Sequence, residues 1–254
     1  MLYERDYLLG LTEAEKQQYE EVTGRKFGEK RVSGFGRVNN FLAYPKAARM
    51  CKSLFPNNYL DVAELRDAER LAAANEEFFS LLSDEACTER SILNFIKDKK
   101  YYHIIGSIIW GLSINIGNHG VYLFPEFQLG NSYKADYLLM GKSSGGYEFI
   151  FIELESPYGN ITLKDGQLGA EFRDGISQLE DWKRWLPANY SSFGEVMRKH
   201  KNNALDLPEE FYVLDMSRFH YVVISGRRSD FQDKTYIIKR ERKKADDIDI
   251  IHYD

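Results

Sequence analysis

The sequence contains very little cysteine: only Cys51 and Cys87 occur in 254 residues. Two cysteines are too few for a disulfide framework, and their spacing does not match that of a metal site. No segment approaches the run of about 20 apolar residues that spans a bilayer. Residues 1–7 carry charges where a secretory signal has an apolar region. The sequence therefore predicts a globular, cytoplasmic protein of a reducing compartment, with no membrane partner.

Several common catalytic and nucleotide-binding motifs are also missing. Gly141-Lys142-Ser143 resembles the end of a phosphate-binding loop, but Asp136 stands where that motif requires its first glycine. Gly34-Phe35-Gly36 lacks the third glycine of a dinucleotide fingerprint, and no Gly-x-Ser-x-Gly elbow occurs. The five histidines do not pair at the spacing of metal ligands. These absences argue against the corresponding enzyme classes.

Positive charge is not in excess, because the net charge is −5 and the pI is near 5.7. A chain of this charge is not expected to bind polyanions over its whole surface. Cations are concentrated locally, at Arg227-Arg228 and in the run 239–244. Such a run is either a solvated loop or a phosphate contact, and the sequence leaves both interpretations open.

The first 84 residues are predicted to form a mainly helical accessory region. Thr12-Glu13-Ala14-Glu15 has the form of a capping box and predicts a helix that ends near Gly24. A polar, glycine-containing stretch follows over 24–40, and helical spacing then runs from Asp61 to Leu82. Thr88 is the predicted N-cap of a further helix. We place the second domain at residues 85–254.

The second domain is predicted to have an α/β core. Residues 121–127, 134–140 and 147–155 have the composition of strands, and the cluster 141–146 is typical of a turn. The predictions for the remaining segments are a helix over 175–186, a strand over 220–225 and a strand-like end over 248–253. The order is helix, three antiparallel strands, helix, strand.

The third predicted strand ends in two carboxylates. Because alternate residues of a strand point the same way, Glu153 and Glu155 share one face while Ile152 and Leu154 share the other. Folding the hairpin about the Ser144–Gly145 bond places Asp136 opposite Glu153. Hard cations such as Mg²⁺ and Mn²⁺ take such oxygen ligands. The sequence thus predicts a metal site, although a strand end that emerges into solvent remains an alternative.

Gln178 lies on the helix that follows the third predicted strand, one turn before Trp182. From there its side chain could contact a metal-bound water or a phosphate. The alternative is an ordinary polar residue beside the apolar stripe of an amphipathic helix.

A set of motifs from Thr88 onward points to a known family. They are Glu89 on the leading helix, Phe124-Pro125-Glu126-Phe127, Asp136-Tyr137-Leu138-Leu139, Ile152-Glu153-Leu154-Glu155-Ser156-Pro157, Gly175-Ile176-Ser177-Gln178-Leu179-Glu180-Asp181-Trp182, Val223-Ile224-Ser225-Gly226-Arg227 and Ile250-Ile251-His252-Tyr253-Asp254. The combination resembles the PD-(D/E)XK nuclease superfamily and, more narrowly, the C-terminal nuclease domain of Shedu anti-phage proteins. It covers roughly two-thirds of the chain, and each motif alone is weak.

The resemblance implies a restriction-endonuclease-like core, metal-dependent cutting of DNA and a role in phage defence. It implies that Asp136 and Glu153 bind Mg²⁺ or Mn²⁺. Glu155 stands where the superfamily usually has lysine, and it is expected to act as a further ligand or as the general base, with Gln178 beside it. Glu89, Glu126 and Lys134 are accessory candidates.

The expected partners are DNA and further copies of this chain. The residues expected to contact DNA phosphates are Arg173, Lys183, Arg227, Arg228, Arg240, Arg242 and Lys243. The helical N-terminal region is the natural place for sensing or for oligomer contacts. The alternative function is a catalytically silent module that binds nucleic acid or supports assembly, since a fold does not guarantee its chemistry.

Overall fold

A five-stranded sheet is the central element of the computed structural model, which describes residues 2–23, 43–60, 67–112, 114, 116 and 120–254. The strands are β1 (Val121–Leu129), β2 (Tyr133–Ser143), β3 (Gly146–Leu154), β4 (Phe219–Ile224) and β5 (Ile248–Ile251). The helices are α1 (Glu13–Thr23), α2 (Pro45–Lys52), α3 (Ala68–Leu82), α4 (Glu89–Lys99), α5 (His103–Gly106), α6 (Ile108–Gly111), α7 (Ala170–Ala188), α8 (Tyr190–His200) and α9 (Asp233–Asp246).

The strands are arranged in the order β1-β2-β3-β4-β5, and the sheet is mixed. β1, β2 and β3 pair antiparallel, whereas β4 joins β3 in parallel and β5 joins β4 in parallel. A parallel neighbour requires a long crossover, which α7 and α8 supply before β4 and α9 supplies before β5. The predicted α/β core is confirmed, with three antiparallel strands that are followed along the chain by further strands.

The register of the β2–β3 hairpin agrees with the prediction. Ser143 pairs with Gly146 next to the two-residue turn, and Tyr137 pairs with Ile152 at the far end of the ladder. Continued one position beyond the ladder, the same register sets Asp136 opposite Glu153. Gly146 has a φ of +116°, which glycine adopts without steric cost, so the turn chemistry fixes this register.

Alternation along β3 separates two apolar cores. Phe149 and Phe151 face α7 and stack on Phe219 of β4, at ring-centroid distances of 4.7 and 6.2 Å. Ile150 and Ile152 face the other way, into a core that α3 and α4 complete. Burying each of these side chains stabilises the fold by about 1.5–3 kcal/mol. The central strand is therefore fixed from both faces.

The predicted helix starts in the first hundred residues are confirmed where the structure describes them. The Thr12 amide donates to Glu15 Oε2 at 2.8 Å and the Glu15 amide donates to Thr12 Oγ1 at 3.3 Å, which is a capping box. Thr88 caps α4 in the same reciprocal way with Ser91. The helix predicted from Asp61 begins at Ala68, and its predicted first part (61–66), like the stretch 24–40, lies outside the described residues.

Helices α8 and α9 were not predicted, and the interpretation of residues 239–244 as a loop is wrong. These residues belong to α9, whose only buried side chain is Thr235 among those described for that helix. Tyr236 and Ile238 pack against the core on the α7 side of the sheet, and charge pairs one turn apart join Arg242 to Asp246 at 2.9 Å and Lys243 to Asp247 at 2.6 Å. A helix with so little apolar surface leaves almost no periodic signal in the sequence.

Residues that precede the predicted boundary at 84/85 take part in both cores. Tyr59 forms an isolated bridge with Tyr122 of β1, and Asn58 Nδ2 donates to the Leu123 carbonyl at 2.9 Å. Phe78 and Leu82 of α3 lie in the core on the α4 side of the sheet. The division into two domains stays a prediction. Among the helices that the structure describes, none is long and apolar enough to cross a membrane.

Candidate metal centre

The carboxylates predicted from the sequence lie together at the carboxyl end of β3. Glu153 is the penultimate residue of β3 and Glu155 follows its last residue; their exposed fractions are only 6% and 8%. The Glu155 amide donates to the Ile224 carbonyl of β4 at 2.8 Å, so the extended backbone continues past the strand end. The two side chains are therefore buried on the face that α7 covers, and the alternative of a solvent-exposed strand end is wrong.

Asp136 approaches the same point from β2. Its Oδ2 accepts a hydrogen bond from the Leu154 amide at 2.8 Å, which fixes the side chain against the end of β3. Burial raises the pKa of Asp136 to about 6, and the negative charge of Glu89 adds to the effect. The hydrogen bond from Leu154 opposes this rise but does not cancel it.

Glu153 is the most strongly perturbed member of the group. Its pKa is raised to about 9, first by burial and then by the nearby charges of Asp136 and Glu155. Its Oε2 atom is buried without a hydrogen-bond partner among the described residues. A buried polar atom of this kind costs free energy until something binds it. A cation would relieve both the missing contact and the repulsion.

Glu155 faces α7. Its pKa is raised to about 8, first by burial and then by the negative charges of Glu89, Glu171 and other carboxylates. Gln178 Nε2 donates to Glu155 Oε1 at 3.4 Å, so the two side chains are neighbours, and the predicted contact of Gln178 with a water or a phosphate stays a prediction. The approach depends on Gly175, since a Cβ atom there would lie 3.0 Å from Glu155 Cγ and 2.6 Å from Val223 Cγ2.

Three further residues at this centre were missed in the sequence. Glu171 and Asp174 on α7 are near enough for their charges to raise the pKa of Glu155. Together with Gln178 they recur at helical spacing, and this pattern could have signalled them. Tyr253 donates its hydroxyl to the Glu155 carbonyl at 2.7 Å. No local pattern connects residues so far apart in the sequence.

The accessory candidates are placed differently from one another. Glu89 is the first residue of α4, is half-buried, and has its pKa raised by burial. Its charge acts on Asp136, Glu153 and Glu155. Lys134 Nζ instead pairs with Glu126 Oε1 at 2.7 Å, on the edge of the sheet. Glu89 thus belongs to the cluster, and Lys134 has its ion pair with Glu126.

The predicted phosphate-contacting residues fall into two groups. Arg173, Arg228 and Arg240 are exposed. The side-chain donors of the others are engaged within the chain: Lys183 with the Asp246 carbonyl, Arg227 with Asp254 and the Leu82 carbonyl, Arg242 with Glu180 and Asp246, and Lys243 with Asp247 and Asp249. The first group is directly accessible to a phosphate, whereas the second would have to exchange existing contacts.

The donor set has the chemistry of a hard divalent ion. Asp136, Glu153 and Glu155 offer only oxygen atoms, and their pKa values are raised first by burial and then by neighbouring carboxylates, so their charged forms are unfavourable without a cation. Across the described part of the chain, however, no three His, Cys, Asp or Glu side chains already enclose an ion position. Binding would therefore require these carboxylates to rotate toward a common point.

Residues 86–254 match the family model described as Shedu protein SduA, C-terminal. The chain belongs to the Shedu family. The matched segment contains the whole sheet and every carboxylate of the candidate centre. Shedu proteins are associated with anti-phage defence, so family membership connects this chain to that role. A search of curated proteins gave no match.

Proposed function

We propose that this chain is a Mg²⁺- or Mn²⁺-dependent DNA endonuclease of anti-phage defence, with a core of the PD-(D/E)XK type. The proposal is supported chiefly by the burial of Asp136, Glu153 and Glu155 at one strand end, where Glu153 Oε2 has no partner among the described residues. An isolated buried carboxylate is costly, and buried charges usually pair or coordinate metals. A divalent ion satisfies that requirement better than any group of the described chain.

Each residue has a defined part in the proposed reaction. Asp136 and Glu153 would hold the ion, which when bound lowers the pKa of a water molecule and neutralises charge on the phosphate. Glu155 cannot supply the positive charge of the usual lysine. Its carboxylate lies two residues beyond Glu153 on the same face, where it is suited to accept the proton of the attacking water once the ion is bound. Gln178 keeps Glu155 oriented through its hydrogen bond.

DNA would be held mainly through its phosphates. Arg228 follows the carboxyl end of β4, which is parallel to β3 and ends at the same edge of the sheet. Arg173 lies in the first turn of α7, next to Asp174, whose charge reaches Glu155. Both side chains are exposed. Contacts of this type give salt-dependent affinity and little sequence preference.

Plasmid nicking in Mg²⁺, in Mn²⁺ and in chelator tests the proposal. We expect divalent-dependent nicking that Asp136→Asn and Glu153→Gln each abolish. Glu241→Gln is the matched control, because Glu241 is exposed on α9 and outside the centre. Full cleavage by both site variants, or cleavage that persists in chelator, would refute the assignment.

A catalytically silent nucleic-acid-binding or assembly module is the second candidate function. It is favoured by Glu155 at the usual lysine position and by the absence, within the described residues, of a three-residue group that already encloses an ion. Calorimetry with Mn²⁺ separates the two candidates, since only the nuclease requires binding. Activity gained by Glu155→Lys would show that the native centre is dormant.

Self-association is a further part of the proposal, with the helical residues before 85 as the contact region. Light scattering of the whole chain and of Leu9→Glu, which changes an exposed apolar side chain of this region and leaves both cores intact, measures this directly. A monomer with full activity in both forms would exclude a role for these residues in assembly.

A further inference from the structure

A cavity of about 1060 Å³ lies behind the carboxylates, on the α4 side of the sheet. Its walls are largely apolar and include Phe78, Phe79 and Leu112, while Leu154 and Tyr253 lie at the strand ends. This volume is slightly above the range of about 300–1,000 Å³ that is usual for small-molecule pockets. The cavity is distinct from the carboxylate centre, although it borders the same strand.

The described cavity wall contains the polar side chains of Asn75, His103, Ser107 and His252, and of these four His103 is the buried one. Its exposed fraction is 6%, and neither ring nitrogen has a hydrogen-bond partner among the described residues. Burial lowers the pKa of His103, and the charge of Arg70 lowers it further. The imidazole is therefore neutral at physiological pH, with one nitrogen as a donor and the other as an acceptor. Burying both ring nitrogens in an apolar wall without hydrogen bonds is unfavourable.

The charge of the wall limits what can bind. Of the described lining residues, Asp254 is the one that is charged at neutral pH, and it is paired with Arg227 at 2.6 Å. No lysine or arginine is among those residues to receive an anion. A charged ligand would lose its hydration without compensation.

We propose that this cavity binds an uncharged, apolar small molecule that carries a hydroxyl group. A hydroxyl both donates and accepts, so it can pair with either nitrogen of the neutral His103 ring. The apolar remainder of the molecule would cover the side chains of Phe78, Phe79 and Leu112. A small molecule fits better than a protein segment because His103 is buried within a wall rather than placed on a rim.

The bound molecule would also act on the metal centre, an extension that rests on the proposed function. Leu154 lies in the wall between Glu153 and Glu155, and its amide donates to Asp136. Tyr253, also in the wall, donates to the Glu155 carbonyl. A ligand that displaces either side chain moves the backbone that carries the carboxylates. The cavity is thus placed to regulate metal affinity.

Calorimetric titration of the whole chain with three related probes tests the binding site. The probes are 2-naphthol, naphthalene and 2-naphthalenesulfonate, which differ in the hydroxyl group and in charge. We expect saturable binding of 2-naphthol, weaker binding of naphthalene and none of the sulfonate. His103→Phe should weaken 2-naphthol about tenfold, as expected for one hydrogen bond, and leave naphthalene unchanged. His200→Phe is the matched control, since His200 packs on Phe124 in the other core.

Leu112→Trp provides a second variant that fills the cavity and should abolish binding of both neutral probes, even if His103→Phe does not fold. The proposal is overturned if 2-naphthol binds His103→Phe with native affinity, if the sulfonate binds as tightly, or if no probe binds. Absence of binding with concentration-dependent self-association would assign the cavity to a second copy of the chain instead.

Titration with Mn²⁺ in the presence and absence of 2-naphthol tests regulation separately. A threefold or larger change in Mn²⁺ affinity supports coupling, and an unchanged affinity refutes it. If Mn²⁺ fails to bind in either case while 2-naphthol binds, the nuclease assignment fails and the cavity site stands.

Discussion

Replacing Glu153 with glutamine should stabilise the metal-free protein at high pH but not at low pH. The pKa of Glu153 is raised from 4.5 to about 9, so the folded state retains a proton that the unfolded state loses. Native stability therefore falls as pH rises from 4.5 toward 9, by at most about 1.4 kcal/mol for each pH unit. Glutamine has nearly the same shape and does not titrate, so the variant escapes this loss.

The magnitude follows from the same pKa. Between pH 5 and pH 8 the upper bound is about 4 kcal/mol, and relaxation and water entry should reduce it to about 2 kcal/mol. For a chain of this length that corresponds to a rise in melting temperature of about 4–8 °C. At pH 5 the two proteins should melt within about 1 °C of each other, since Glu153 is then protonated in the folded state.

Thermal unfolding followed by circular dichroism in chelator, at pH 5, 6, 7 and 8, measures the difference. With Mn²⁺ in place of the chelator, the native protein should be stabilised at pH 8 and Glu153→Gln should be unchanged, because the ion binds the native fold through this carboxylate. Glu241→Gln serves again as the control. A stabilisation that is equal at pH 5 and pH 8, or a variant that is less stable at pH 8, would refute the reasoning.

Three other substitutions test the packing around the centre. Gly175→Ala should lower the free energy of unfolding by about 1–3 kcal/mol, because its Cβ would lie 2.6 Å from Val223 Cγ2. Urea unfolding measures this change, and a variant as stable as the native protein would contradict the close packing. Arg227→Met should cost about 2 kcal/mol through lost charge-assisted hydrogen bonds, while the exposed Arg228→Met should stay within about 0.5 kcal/mol; equal melting temperatures for the two would contradict the contacts of Arg227. Tyr253→Phe removes the hydrogen bond to the carbonyl of residue 155 and should lower the free energy of unfolding by about 1 kcal/mol, as measured in urea. An unchanged free energy would mean that the hydroxyl bonds water equally well.

The part of the fold that the sequence predicts is the part controlled by local chemistry. The turn at Ser144–Gly145 and the alternation of β3 are enough to place Asp136 opposite Glu153. The apolar stripe of α7 likewise predicts a helix, although its ends extend beyond the predicted 175–186 to Ala170 and Ala188. Each of these signals lies within a short segment, so a single sequence contains all of it.

The part that could not be predicted depends on contacts between distant segments. Helix α9 is mainly polar, and the apolar residues that pack on the core, Tyr236 and Ile238, are too close together to form a stripe, so the segment resembles a loop in sequence. Tyr253 reaches the centre because β5 is parallel to β4, and this neighbour relation has no local signature. The raised pKa values of Glu153 and Glu155 are also collective properties of burial and neighbouring charge.

The mixed sheet has a consequence for the order in which the centre is assembled during folding. Strands β1, β2 and β3 form a meander of short turns, whereas β4 pairs with β3 only after a crossover through α7 and α8. Local pairings close smaller loops and form sooner than distant ones. We therefore expect Asp136 and Glu153 to meet early in folding. Glu155, whose amide bonds to β4, would be fixed last.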